Sequence, residues 1–163
     1  MIDKILNLLD SWNIKKKKII QNKKTIFVKE RDILFINMGQ NIGVEQDGKG
    51  EEFLRPVIVY KKFNNNMFLG IPLTSTLKDN RYYFLFEFQS KTDGIRQNSA
   101  ILSQIRTFDT KRVKFKLGFI NKKDFSELHE KLLECIKPND VVTPHIKWGE
   151  SRRNIDENYT TKQ

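Results

Sequence analysis

"GVEQDGKGEEFLRPVIVY" spans Gly43 to Tyr60. Its first half is glycine and acid, the composition of a mobile loop. Its second half is Arg55-Pro56 followed by Val-Ile-Val-Tyr, the β-branched and aromatic composition of a buried strand. Proline biases the residue before it toward extended backbone, so Arg55 belongs with the strand. A charged loop therefore delivers an arginine to the start of a rigid element.

Further short, apolar and partly alternating runs surround this one. DILFINM, LRPVIVYKK, MFLGIPLTS, RYYFLFEFQ, SAILSQIRT and RVKFKLGFI predict six strands. Turn-forming residues separate them: Gly39 to Gly50, Asn64-Asn65-Asn66, Lys78-Asp79-Asn80 and Asp93-Gly94. The asparagine triplet predicts a hairpin turn, because Asn tolerates positive φ. Short strands joined by tight turns argue for a small barrel or a twisted antiparallel sheet.

Helical spacing brackets the strands. NKKDFSELHEKLLECI places Phe125, Leu128, Leu132 and Cys135 on one stripe, joined by Leu133 and Ile136, and Pro138 stops the helix. At the other end, Ile2, Ile5, Leu6, Leu9 and Trp12 recur at helical spacing, with Asp3 in the first turn. A lysine-rich run, KKKKIIQNKK, follows from Lys15 to Lys24. Two readings of this region stand side by side. One is a helix packed on the core with a solvated basic end; the other is a basic arm for an RNA or protein partner. Beyond Asn139 the chain is polar and aperiodic, which predicts a disordered tail in which Trp148 is the odd residue. The organisation expected is a helix and basic linker over 1–28, one compact domain over 29–137, and a tail over 138–163.

The 163 residues carry 30 basic and 20 acidic side chains, a net charge of +10. Half of that excess lies in the first thirty residues. Such a balance favours a polyanionic partner, either nucleic acid or an anionic membrane surface. No run approaches the roughly 18 apolar residues of a membrane span. Acids precede lysines at the N-terminus, the reverse of a signal peptide. A lone cysteine, Cys135, excludes an internal disulfide and a cysteine metal cluster and suits a core filler. A reduced, cytoplasmic protein fits, with no membrane partner.

The catalytic inventory is narrow. Of the two histidines, His129 falls on the outer side of its helix and His145 in the tail, so no histidine pair suggests acid–base work. No spacing suggests a metal site, and no glycine loop precedes a helix as phosphate-binding motifs require. Any reaction must run on Arg, Glu, Thr, Ser and Gln without a cofactor or metal. Phosphoryl transfer suits that set, because a guanidinium stabilises charge on phosphorus-bound oxygens. The candidates are Glu45 and Gln46 in the loop, Arg55 at the strand, Thr74, Ser75 and Thr76 ending another, and Gln104 with Arg106 in LSQIRT.

Taken in order, Arg31 to Gly39, GQNIGVEQDGKG, RPVIVY, IPLTST and SAILSQIRTFDTKRV resemble the MazF/PemK family of toxin endoribonucleases over roughly residues 29–137. The resemblance implies a mainly β fold with α: a small SH3-like barrel, shared with the gyrase poison CcdB, closed by a C-terminal helix. The N-terminal amphipathic helix is an addition to it. It implies a homodimer that cleaves single-stranded RNA at short sequence motifs without metal and is neutralised by an antitoxin. By position, Arg55 matches the essential arginine, Thr74 the strand-end threonine and Glu45 the loop glutamate. Gln46, Ser75, Thr76, Gln104 and Arg106 fall where substrate is bound. One branch of the family has an Arg and an Asp before that glutamine. Here Ile101 and Ser103 stand there, so the chain is nearer the MazF type. The loop from Asp47 to Leu54 is longer than usual and is the expected source of specificity. Two alternatives keep the fold and change the function: a non-catalytic inhibitor of the CcdB kind, and a silent RNA-binding module using the aromatics of RYYFLFEF.

Overall fold

The computed structural model describes residues 2–23 and 26–139. The tail beyond, with His145 and Trp148, lies outside the described residues. Within them are helix α1 (Ile2–Ile20), strands β1 (Asp32–Asn37), β2 (Leu54–Lys62), β3 (Met67–Thr74), β4 (Tyr83–Ser90), β5 (Gly94–Ile101), β6 (Arg106–Asp109) and β7 (Val113–Phe119), and helix α2 (Lys122–Ile136). Single 3-10 turns at Leu102–Gln104 and Thr110–Arg112 flank β6.

The strands form one antiparallel sheet in the order β2-β1-β7-β4-β5-β3-β6. A further β2–β3 pairing bends this sheet into a near-closed barrel, with Val57 opposite Pro72 and Ile58 opposite Ile71. β3 shares its other edge between two partners. Its first half pairs with β6 and its last two residues pair with the end of β5. The seam between β4 and β7 is a single rung, Ser90 opposite Gly118.

Seven strands replace the six expected, and the difference lies in SAILSQIRT. Leu102–Gln104 coils into a 3-10 turn that divides it, and β5 begins at Gly94 rather than at Ser99. Ile95-Arg96-Gln97, exposed at both ends and half-buried at Arg96, is polar enough to pass for loop, yet pairs in register with Gln89, Phe88 and Glu87 of β4 respectively. The hairpin at Asn64–Asn66 forms by a different device from the one expected. Asn64 Oδ1 accepts from the backbone N–H groups of Asn66 and Met67 at 2.8 and 2.9 Å, and none of the three asparagines has positive φ.

Two apolar clusters fill the structure. One holds Ile33, Ile58, Ile71, Leu73, Ala100 and Leu102 together with Phe84, Phe86 and Phe88 of β4 and Leu128 and Leu132 of α2. The β4 phenylalanines face this core while Leu85 and Glu87 face outward, so Phe84, Phe86 and Phe88 of RYYFLFEF are packing groups, whereas Tyr82 is exposed and Tyr83 half-buried. The other cluster gathers Val28, Leu34, Ile36, Met38, Val57, Val59, Phe68, Phe108 and Val113. On α2 the stripe is Phe125, Leu128, Leu132 and Cys135; Leu133 and Ile136 point to solvent, against expectation. Exposed His129 stacks on Tyr60 of β2, with its Nδ1 2.5 Å from the phenol oxygen, and fastens α2 to the barrel.

α1 runs through the lysines to Ile20, so Lys15–Lys18 are helical and not a linker. Trp12 is its one buried residue; Ile2, Ile5 and Leu6 are exposed. The helix is therefore neither packed along its stripe nor a free arm: Trp12 is its one buried anchor.

Candidate active site

Arg55 sits second in β2, opposite Ile36 of β1, and is 6% exposed. Its guanidinium is fixed from two sides. Nε donates to the carbonyl of Asp47, and Nη1 donates to the carbonyl of Leu73 at 2.9 Å. The first contact ties the strand to the loop that precedes it; the second ties β2 to the end of β3. Nη2 has no hydrogen-bond partner among the described residues. Burial pushes the guanidinium below its usual pKa, and the Asp47 carboxylate opposes that shift. The group stays a cation at neutral pH.

A cavity of about 420 Å³ opens beside it, lined by Arg55, Lys49, Leu54, Ser75, Arg96 and Asn98 among others. Three cationic side chains thus converge on one concavity. Arg96 pairs with Asp93, and Asn98 donates to the carbonyl of Thr74 at 3.1 Å. Neither Arg96 nor Asn98 stands out in the sequence, because both fall in the polar stretch that opens β5.

The other expected residues are placed as follows. Thr74 ends β3, opposite Ser99, and its Oγ1 accepts from the Thr76 N–H at 3.2 Å. The hydroxyl of this strand end that lines the cavity is that of Ser75; Thr76 is exposed. Glu45 is exposed, and its Oε2 accepts from the Ile42 N–H at 3.4 Å within its own turn. Gln104 does not face the cavity. Its Oε1 accepts from the Gln46 N–H and its Nε2 donates to the Val44 carbonyl, both at 3.2 Å, so it clamps the turn that carries Glu45 and Gln46. Arg106 is exposed on β6, 5.6 Å from the Phe108 ring centre. The structure therefore brings Arg55 and Ser75 together and sets Gln104 and Arg106 apart from them.

The preceding loop is fastened rather than mobile. Asp47 accepts from Gln40 Nε2 at 2.9 Å and from the Asn41 N–H at 2.6 Å, and the Gly48 N–H reaches the Gly39 carbonyl at 2.8 Å. Lys49 and Leu54 exchange a closed pair of backbone hydrogen bonds across a tight turn. A Cβ at Gly48 would overlap the Phe53 carbonyl, so only glycine fits there.

This turn works in two directions. Lys49 and Gly50 line the Arg55 cavity. Glu52 and Phe53 turn the other way, onto α1. Phe53 is buried, with φ at 50°, and its ring lies 5.4 Å from that of Trp12. A bulky residue in the left-handed region stores strain of about 1–3 kcal/mol, which the surrounding packing must offset. Glu52 pairs with Lys15 of α1 and with Lys114 of β7, the latter at 2.7 Å. Arg112 covers the Trp12 ring at 5.5 Å while donating to the carbonyls of Asn37 and Met38. The 49–54 turn is thus the mount for α1.

Among the described residues no group of three or more His, Cys, Asp or Glu could hold a metal ion, and no helix is long and apolar enough to cross a membrane.

No curated protein matches the chain. Among solved structures, a MazF from Deinococcus radiodurans superposes with a TM-score of 0.52 at 18% identity, covering 66% of this chain and 94% of that one. A MazE–MazF structure from the same organism gives 0.49 at 15% identity, covering 66% and 93%. The Mycobacterium tuberculosis toxin MazF-mt6 gives 0.48 at 11% identity, covering 64% and 95%. The superposition on the first of these, with a TM-score of 0.52, shows that the fold is MazF-like. The model of the PemK-like, MazF-like toxins of type II toxin–antitoxin systems matches residues 29–136, two thirds of the sequence and all seven strands, and the chain belongs to that family.

Proposed function

We propose that this toxin is a sequence-specific endoribonuclease that cleaves single-stranded RNA and needs no metal ion. What carries the reading is Arg55: a buried, doubly anchored guanidinium with Nη2 unpartnered among the described residues, beside a cavity with two more cations. RNA brings its own nucleophile. The ribose 2′-oxygen attacks the adjacent phosphorus, the bond from phosphorus to the 5′-oxygen breaks, and a 2′,3′-cyclic phosphate and a 5′-OH result. The protein has to orient the phosphate, stabilise its added negative charge and move two protons.

Nη2 meets a non-bridging oxygen as charge builds there, and its rigid mounting means little reorganisation at that moment. With Nε committed to Asp47, Arg55 acts through its Nη edge. A guanidinium is too weak an acid to donate its proton readily, which favours an electrostatic role. Ser75 and Thr74 supply hydroxyl donors for phosphate oxygens, with Thr76 and Gln46 at the edge of the groove. Glu45, nominated as base, reaches the 2′-OH only after leaving the Ile42 N–H. Gln104 serves by holding that turn, and Arg106, exposed on β6 and outside the lining of the Arg55 cavity, meets the RNA away from the scissile phosphate. A cognate antitoxin acts by covering the Arg55 cavity, and the toxin works as a homodimer in the cytoplasm.

The test is incubation of single-stranded RNA with the protein in EDTA, followed by mapping of the ends. Fragments with 5′-OH and 2′,3′-cyclic phosphate termini are expected. Intact RNA, or ends carrying 5′-phosphate, would overturn the reading.

A further inference from the structure

A second cavity, of about 260 Å³, lies where α1 meets the start of β7. Its walls carry Lys15 and Lys18 from α1, Lys111 from the 3-10 turn before β7, Lys114 from β7, and the amide of Asn37 at the end of β1. Among the described residues one carboxylate pairs with any of these four cations: Glu52, bound to both Lys15 and Lys114. Those two lysines hold its pKa down at about 2, so it is fully charged and already used. Lys18 and Lys111 make no ion pair among the described residues. The site keeps an excess of positive charge in a concave, amide-lined space, which concentrates anions.

Its position narrows the choice of anion. Asn37 lines the lysine cavity, and Leu54, its partner in the β1–β2 ladder, lines the Arg55 cavity. The two sites therefore adjoin at one rung, about 5 Å across. Beside that rung, Phe35 lines the Arg55 cavity and packs against Phe115, the rings tilted by 40° with centres 5.1 Å apart; Phe115 is 44% exposed and follows Lys114 in sequence. An exposed aromatic face between two cationic hollows matches the base–phosphate alternation of a single strand. A free phosphate would use only one of these features.

We propose that the lysine cavity is a second phosphodiester subsite, which takes a backbone phosphate of the same RNA strand whose scissile phosphate lies at Arg55. This rests on the nuclease reading for its substrate, but it assigns a role to α1, which lies outside the residues the family shares. The helix contributes Lys15 and Lys18 to the groove, and the turn that mounts it also contributes Lys49 to the Arg55 cavity.

The experiment measures binding, not cleavage. A labelled, fully 2′-O-methylated RNA of about twelve nucleotides cannot be cut, and its anisotropy is followed against the full-length protein over a salt series. Lys18→Ala combined with Lys111→Ala should weaken binding several-fold and reduce the log–log salt slope by about 1.4, the loss of two single-strand phosphate contacts. Lys122→Ala with Lys123→Ala, at the opposite end of β7, is the charge-matched control and should leave the slope in place. An unchanged slope in the first pair, or an equal loss in the second, overturns the subsite. Wild-type binding with this lysine dependence, but with unmodified RNA left intact, sinks the nuclease reading and keeps the subsite. Cleavage with an unchanged slope does the reverse, and no RNA binding at all overturns both.

Discussion

In the proposed reaction Arg55 is both a structural anchor and the group that meets the substrate. It holds the carbonyls of half-buried Asp47 and buried Leu73. Removing it has two consequences that different substitutions separate. Arg55→Lys keeps the charge but cannot reach two carbonyls and a phosphate together, because a single ammonium replaces a planar fork. Cleavage by that variant should fall by about 10²-fold or more, with most of the stability retained. Arg55→Ala should abolish cleavage and also lower stability by about 2 kcal/mol, the penalty of stranding buried acceptors. Denaturant titration beside an RNA cleavage assay checks both, and full activity in Arg55→Lys would remove Arg55 from the reaction. This residue was legible in the sequence because its cause is local: an Arg-Pro step before a β-branched run. Gln104 was legible as a polar residue among apolar ones, yet its role was not, since its partner Gln46 lies 58 positions away and only the closed barrel joins them. Arg96 and Asn98 were missed for a related reason. Their strand has too little apolar content to show a period of two, and pairing with β4 supplies what the sequence pattern lacks.

At the scale of elements, α1 and the 49–54 turn form one device, and they should fail together. Trp12 rests on Phe53 and Gly39 beneath Arg112, and a Cβ on Gly39, whose φ is 104°, would run into the indole. Trp12→Ala and Gly39→Ala should each release α1, seen as fast amide exchange over Ile2–Ile20, while the β2 and β3 amides stay protected. The double variant should be little worse than either single one, since both remove the same contact; additive losses would mean that the two residues act separately. Acid probes the same joint. Lys114 and Lys15 hold the Glu52 carboxylate at about 2, below the usual 4.5. A depressed carboxylate stabilises fully above its unfolded pKa and loses that contribution as pH falls through its folded one. Trp12 fluorescence in a Trp148→Phe background should therefore hold steady from neutral pH to about 4.5 and change between there and about 2. Glu52→Gln should abolish that transition, and a transition that survives the substitution would assign it elsewhere. The strands and α2 were readable because burial imposes periods of two and 3.6 on sequence. The meeting of α1 with the turn was not, because each looks like an unattached decoration until Phe53 and Trp12 are seen in contact.

For the whole molecule, the question is whether the barrel needs its added helix. Both apolar clusters are built from residues after Ile26, and Trp12 belongs to neither. The positive excess, in contrast, leans heavily on the N-terminal segment. Fold and electrostatic reach are thus carried by different parts of the chain, and truncation should part them. A protein beginning at residue 26 should keep its β circular dichroism and a single cooperative unfolding transition. Its midpoint should be lower by several degrees, since Phe53 loses the cover of Trp12 and Glu52 keeps Lys114 but loses Lys15; a loss of about 1 kcal/mol shifts a domain of this size by roughly 4 °C. RNA association should slow more than dissociation quickens at low salt, because the long-range field weakens while the Arg55 cavity stays intact. That difference should vanish at high salt, where screening removes the helix's contribution from the full-length protein as well. A truncated barrel that fails to fold would make α1 part of the core rather than an attachment, and unchanged association rates at low salt would leave the basic helix without a role in reaching RNA.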